Sequence, residues 1–238
     1  MASFYKKLTE ASAKRGPMPL ITWINDAGRI ELSNVTFANA VSKASNFLID
    51  GLELDEESSI AVDLGNHWQS PVWLGTGLAT GIKVTDQNSA ITFGTLAAAK
   101  VWSGDTEEFV VISQDPFGMP SKDVPAGFVN GSAEVRNFGD YFAPARPQNP
   151  KQAVLVTSGT DFTWDQLVSH SLDLAQTHGI KAEQNYGLHG VSDLLTKTEL
   201  QVVLPIINQN SVALIDQANP DFDAIKKQEK LDQIVLLG

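Results

Sequence analysis

Along the chain, short apolar runs alternate with stretches whose apolar positions recur every three or four residues. The first such pair, "LITWIN" and "GRIELS", reads as a β-hairpin joined through Asn25, Asp26 and Gly28. From Phe37, apolar side chains fall at Ala40, Val41, Ala44, Phe47 and Leu48, the stripe of a helix that Ser33 or Asn34 caps and Gly51 ends. "SSIAVDL" predicts a buried strand, "HWQSPVWLGTGLATG" a helix and "IKVTD" a second strand. "AITF", a helix around "LAAAKVW", and "EFVVIS" continue the alternation. Further on come strand "AVLVTS", a helix from Trp164 to about His178, and a helix ending near Asn208. Strand "SVALID", helix "DFDAIKKQE" and strand "QIVLL" complete the pattern.

This βαβ rhythm predicts an α/β fold with a mainly parallel sheet flanked by helices, built as a single domain over residues 1–238. The segment from about 114 to 150 interrupts it with Pro116, Pro120, Pro125, Pro144, Pro147 and Pro150. It reads as an irregular connection or a set of small edge strands, and as a candidate boundary between two halves of one sheet. The N-terminal "MASFYKKLTEASAKRG" reads as a short amphipathic helix ending at Gly16, with Phe4, Leu8 and Ala11 on one side. It holds no apolar run of signal-peptide or membrane-span length, so a cytoplasmic location is expected.

Composition narrows the chemistry. A net charge of -11 repels phosphate backbones and anionic lipid, so neither nucleic acid nor membrane is an expected partner. The absence of cysteine removes disulfides, zinc thiolates and thiol nucleophiles together. His67, His170, His178 and His189 include no HxxxH or HxH pair, and no metal is expected. His170 and His178 share a helix face, but no acidic residue is spaced to complete a site with them. No G-x-S-x-G elbow occurs, and Ser158 lacks the preceding glycine that this turn needs. "GTGLATG", Gly75 to Gly81, has the wrong spacing for a dinucleotide loop and lies late in a helix; its small residues are read as close helix–sheet packing.

One stretch remains, "VLVTSGTDFTW", in which Thr157, Ser158, Gly159 and Thr160 follow a strand as a phosphate-gripping turn does. Here the chain resembles the adenylate-forming (AMP-binding, acyl-CoA synthetase-like) superfamily. The resemblance extends to the "ELSNVTFANAVSKASNFLIDGLELDEESSIAVDLGNHWQSPVWLGTGLATGIKV" run and to "VLPIINQNSVALIDQANPDFDAIKKQEKLDQIVLLG". In order along the chain, these match the first half of that family's large domain. The resemblance implies ATP or AMP with magnesium as cofactors.

The family's loop reads Thr-Ser-Gly-(Ser/Thr)-Thr-Gly-x-Pro-Lys. Here Thr157, Ser158, Gly159 and Thr160 are kept, while Asp161 and Phe162 follow and a helix capped by Thr163 is expected at once. The second glycine, the proline and the lysine have no counterpart, and Asp161 brings negative charge where phosphates would gather. The family's aromatic-Gly-x-Thr-Glu segment, its ribose-binding aspartate and its catalytic lysine do not occur before Gly238. The expectation is therefore a vestigial nucleotide site at Thr157, Ser158, Gly159 and Thr160, with no catalytic residue and no bound cofactor. The function expected is binding or assembly; the alternative is a half-site of a ligase completed by another chain. Because "WLGTGLA" and "LQVVLPII" are strongly apolar and "IVLL" falls at a sheet edge, a homodimer or a protein partner covering that face is expected.

Overall fold

The computed structural model describes residues 2–102, 108–144 and 148–237. The predicted α/β class holds, but the strands divide between two sheets instead of one. The five-stranded sheet holds β1 (Pro19–Asn25), β2 (Gly28–Ser33), β10 (Asn185–His189), β11 (Ser211–Asp216) and β12 (Gln233–Leu236), in the spatial order β12-β10-β11-β1-β2. The seven-stranded sheet holds β3 (Ser59–Asp63), β4 (Lys83–Thr85), β5 (Ile91–Gly94), β6 (Glu108–Val111), β7 (Val129–Asn130), β8 (Ala153–Thr157) and β9 (Thr160–Thr163). Its order is β7-β6-β5-β3-β4-β8-β9.

Within each sheet every pairing is parallel except one hairpin, β1 with β2 and β8 with β9. The Pro-rich connection does not separate two halves of a sheet. It supplies β7 at one edge of the seven-stranded sheet and then leads back to β8 near the other.

The helices are α1 (Phe4–Arg15), α2 (Asn34–Asn46), α3 (Gln69–Thr80), α4 (Leu96–Ala99), α5 (Gly131–Glu134), α6 (Trp164–Thr177), α7 (Leu194–Thr198), α8 (Leu204–Asn208) and α9 (Phe222–Gln228). α2 continues as a π-helical turn through Gly51, and a second π-helical turn, Glu199–Val203, joins α7 to α8. The helix expected around "LAAAKVW" covers only Leu96–Ala99.

Capping residues set the starts of the two helices that follow the hairpins. Ser33 Oγ accepts the Thr36 N–H at the head of α2, and Thr163 makes a reciprocal capping box with Gln166 at the head of α6. At the far end of α3, Gly81 takes the left-handed conformation (φ 82°) that closes the helix.

A hydrophobic core shared by both sheets runs from Phe4 and Phe37 to Leu74, Leu155, Tyr186 and Leu200, with smaller clusters around Ile215 and Phe109. α2 touches β1 and β2, α3 touches β3 and β4, and the 194–208 helix touches both α3 and β11, which ties the two sheets together. Tyr186 is fully buried, and its hydroxyl donates to the Leu200 carbonyl at 2.5 Å. The side chains of "WLGTGLA" and "LQVVLPII" belong to this core: Trp73, Leu74, Leu78, Ala79, Leu200, Val202, Val203, Leu204 and Ile206 are all buried. The expectation that these segments need an outside cover is corrected, because the chain itself covers them. β12 does lie at a sheet edge, with Leu236 exposed.

Candidate functional site

The turn singled out in the sequence is a β-hairpin. β8 ends at Thr157, β9 begins at Thr160, and only Ser158 and Gly159 lie between them. The expected passage straight into a helix is corrected, since a four-residue antiparallel strand intervenes before α6. Gly159 sits at φ +107°, a conformation that favours glycine, with open space where a Cβ would be. β8 is not central; it is the second strand from the β9 edge.

The Thr157 hydroxyl and both Ser158 donors already face acceptors within the chain. Thr157 Oγ1 donates to the Thr160 carbonyl at 3.3 Å. The Ser158 N–H and hydroxyl both face Asp86 Oδ2, at 3.4 and 3.5 Å. These are long contacts, yet they bring a carboxylate to the donors that a phosphate would use. Asp86 follows β4, the strand that pairs with β8, so the parallel register places it at the turn. Asp161 is corrected in the same step: it lines a groove with Glu56, Glu57, Lys83 and Val156, and the carboxylate meeting the turn is that of Asp86. Sequence spacing missed Asp86 because it lies 72 residues before Ser158.

A second polar cluster lies beyond the C-terminal ends of β1, β3, β6 and β11, where the loops of the two sheets meet. Asn66 donates to the Ile215 carbonyl at 3.3 Å and accepts from Gln201 Nε2 at 3.2 Å. Trp23 Nε1–H donates to Asp216 Oδ2 at 3.3 Å, and burial raises the Asp216 pKa above the ordinary carboxylate value. Gln69 Nε2 donates to the Ser113 carbonyl at 2.7 Å, which stitches the loop after β3 to the loop after β6.

His67 sits within this cluster, 2% exposed, with its ring 4.5 Å from that of Trp23 and 5.4 Å from that of Trp68. Its Nδ1 accepts the Gln69 N–H at 3.3 Å, so the neutral ring carries its proton on Nε2. Burial lowers the His67 pKa to about 4, and the carboxylate of Asp115 only partly opposes this. Residue spacing carries no sign that His67 is buried between two tryptophans, because Trp23 comes from the other sheet.

His170 does have an acidic partner. Its Nδ1 meets Glu199 Oε1, which is carried 29 residues away on the π-helical turn. Burial raises the Glu199 pKa, and the contact with His170 draws it partly back. Neighbouring Lys197 is lowered by burial and partly restored by Asp63 and Asp193. Among the described residues, no three His, Asp or Glu side chains are grouped as metal ligands. A cleft of about 590 Å³ opens beside the end of α2, with Asp50, Asp55, Glu56 and Glu57 on its wall. Its polarity is wrong for a phosphate. No helix among the described residues is long and apolar enough to cross a membrane.

Gly75 and Gly77 are packing residues. A Cβ on Gly77 would lie 2.3 Å from Val84 Cγ2, and one on Gly75 would touch Phe37 and Val41 at 3.4 Å. This agrees with reading "GTGLATG" as close packing.

The chain matches no protein-family model. It is 28% identical over 235 residues to a protein of Mycobacterium tuberculosis strain H37Rv described as a TIGR03089 family protein, covering 91% of this chain and 89% of that one. Its fold is similar to the crystal structure of Brucella canis acyl-CoA synthetase, with a TM-score of 0.77 at 11% identity. That similarity covers 97% of this chain and 47% of the synthetase, so the chain spans about half of the synthetase's length. The fold is therefore similar to about half of an acyl-CoA synthetase, the fold that the sequence resemblance led one to expect.

Proposed function

We propose that this chain is an acyl-CoA synthetase-like module that neither binds nor activates nucleotides by itself and acts in binding or assembly. The observation that carries this reading is the hairpin at Thr157, Ser158, Gly159 and Thr160. A nucleotide loop must leave its N–H groups free and add a cation, because charge on a transferring phosphoryl group needs preorganised donors. Here the turn has two residues, Asp86 faces the Ser158 donors, and no lysine lies between Gly159 and His178. Replacing Asp86 by a phosphate would exchange one anion for another and gain no cation.

Isothermal titration of the full chain with Mg-ATP tests this. No saturable heat is expected at physiological ATP. A dissociation constant of about 1 mM or tighter, roughly -4 kcal/mol, would overturn the proposal.

The second reading is a ligase half-site completed by another chain. It draws on the match to 47% of the synthetase at a TM-score of 0.77. Under it, a co-purified second chain would confer acyl-dependent release of pyrophosphate from ATP. The assembly role includes the homodimer proposed from the sequence, which now rests on the β12 edge alone.

A further inference from the structure

Glu199 opens the π-helical turn that joins α7 to α8, and its side chain is 1% exposed. It meets Nδ1 of His170 on α6, an imidazole that is 49% exposed. The pair is asymmetric: the imidazole is open to water, while the carboxylate is shut away from it. The His170 ring also stands edge-on to Phe162 of β9, with 5.6 Å between ring centroids.

Burial works against the charge of Glu199, the hydrogen bond and the charge of His170 support it, and Asp193 opposes it. The neighbouring elements offer no other free cation. α3, α8 and β8 carry no ionisable side chain. β10 brings Tyr186, which burial keeps protonated, and the loop after β3 brings His67, which burial keeps neutral down to about pH 4. α7 carries Lys197, which faces Asp63 and Asp193. β9 adds Asp161, α6 adds Asp165 and Asp173, and β11 ends at Asp216. The positive charge that reaches Glu199 is therefore that of His170.

The turn itself is a sensitive place for such a charge. Its backbone is held by wide bonds such as Leu204 N–H to the Glu199 carbonyl, and it packs against α6, α3 and β11, and so between the two sheets. When the imidazole gives up its proton, its Nδ1–H remains as a neutral donor, a bond about half as strong as the charge-assisted one.

We propose that His170 and Glu199 form a proton-operated latch: protonated His170 holds the π-helical turn against α6, and neutral His170 leaves the buried carboxylate undercompensated and the turn loosened. The linkage has the same sign. The Glu199 pKa is raised above 4.5 in the folded chain, so this group favours folding at low pH and that contribution is lost as pH rises through the folded value. The latch stands whether or not the 157–160 hairpin binds a nucleotide.

Hydrogen exchange of the full chain at about pH 5.5 and about pH 8 tests this. The protection of the Leu200 to Leu204 amides is divided by that of Val41 and Ala44 in α2, which share the core, so that global stability and intrinsic exchange cancel. The ratio is expected to fall by about fivefold from the lower to the higher pH. Glu199→Gln keeps an acceptor without the charge and should abolish this fall. His170→Gln offers a neutral donor throughout and should show the low ratio already at the lower pH. If Glu199→Gln fails to fold, His170→Gln carries the test. A ratio that is the same at both pH values in the parent chain, a fall that survives in Glu199→Gln, or full protection of His170→Gln at the lower pH overturns the proposal.

Discussion

At the scale of single residues, the largest electrostatic consequence falls on His67. Its pKa is about 4 in the folded chain against an ordinary 6.5, so the unfolded chain binds the proton more readily. Stability is therefore complete above about pH 6.5 and is lost as pH falls through about 4, by about 3 kcal/mol in all. Urea midpoints measured at pH 7.5 and 4.5 check this, with His67→Leu as the comparison. The variant should lose a large part of the pH dependence across that window; an unchanged slope would mean that other groups carry it. Gly159 offers a smaller test. At φ +107°, Gly159→Ala meets no steric neighbour but a strained backbone, and a loss of about 1 kcal/mol is expected in the same assay.

Among elements, the unit that recurs is a hairpin followed directly by a capped helix, once as β1-β2-α2 and again as β8-β9-α6. In both, a short polar cap ends the antiparallel strand and starts the helix in one step, Ser33 in the first and Thr163 in the second. Thr163→Ala removes the hydroxyl that accepts the Gln166 N–H and donates to Gln166 Oε1, leaving only the Thr163 backbone N–H on that side chain, and should cost about 1 kcal/mol in denaturant unfolding. Gln166→Ala should lose less, because the Thr163 hydroxyl still accepts the Gln166 N–H. The contact of α3 with the seven-stranded sheet is the tighter constraint. Gly77→Ala would drive a methyl into Val84 and against the Ile82 carbonyl, and since backbone cannot yield as a side chain does, a loss of about 1–3 kcal/mol is expected. Gly75→Ala meets only ordinary contacts and should be far milder.

For the whole molecule, burial of the α3 and 194–208 helices removes most of the apolar surface that called for a partner. What remains is the unpaired side of β12, where Leu236 is 61% exposed, and an unpaired edge invites strand addition. A homodimer through this edge would need about 1,000 Å² of total buried area to be specific, more than a four-residue strand supplies alone. If further surface joins this edge in a homodimer, light scattering at micromolar concentration shows a mass that rises above 25.7 kDa with concentration. A constant mass near 25.7 kDa would leave the homodimer without support.

How far the sequence reaches depends on the range of the interaction. Apolar periodicity, caps and turn glycines act within one element, so the strands "LITWIN", "SIAVD" and "SVALID", the α2 and α6 starts and the end of α3 at Gly81 were legible. β10 was not, because "NYGLH" carries a glycine and two polar residues and is held as a strand by β11 and β12 on either side. β9 was hidden for a similar reason: Thr160 to Thr163 become a strand only through pairing with β8. The candidate turn was found from its residue types, which depend on local backbone chemistry. Its partners were decided elsewhere in the chain. Asp86 reaches Ser158 through the parallel β4–β8 register, Glu199 reaches His170 across two helices, and Trp23 reaches His67 from the other sheet. Local propensity therefore set most of the elements, while long-range pairing made strands of β9 and β10 and, with packing that no sequence spacing encodes, chose which charges meet.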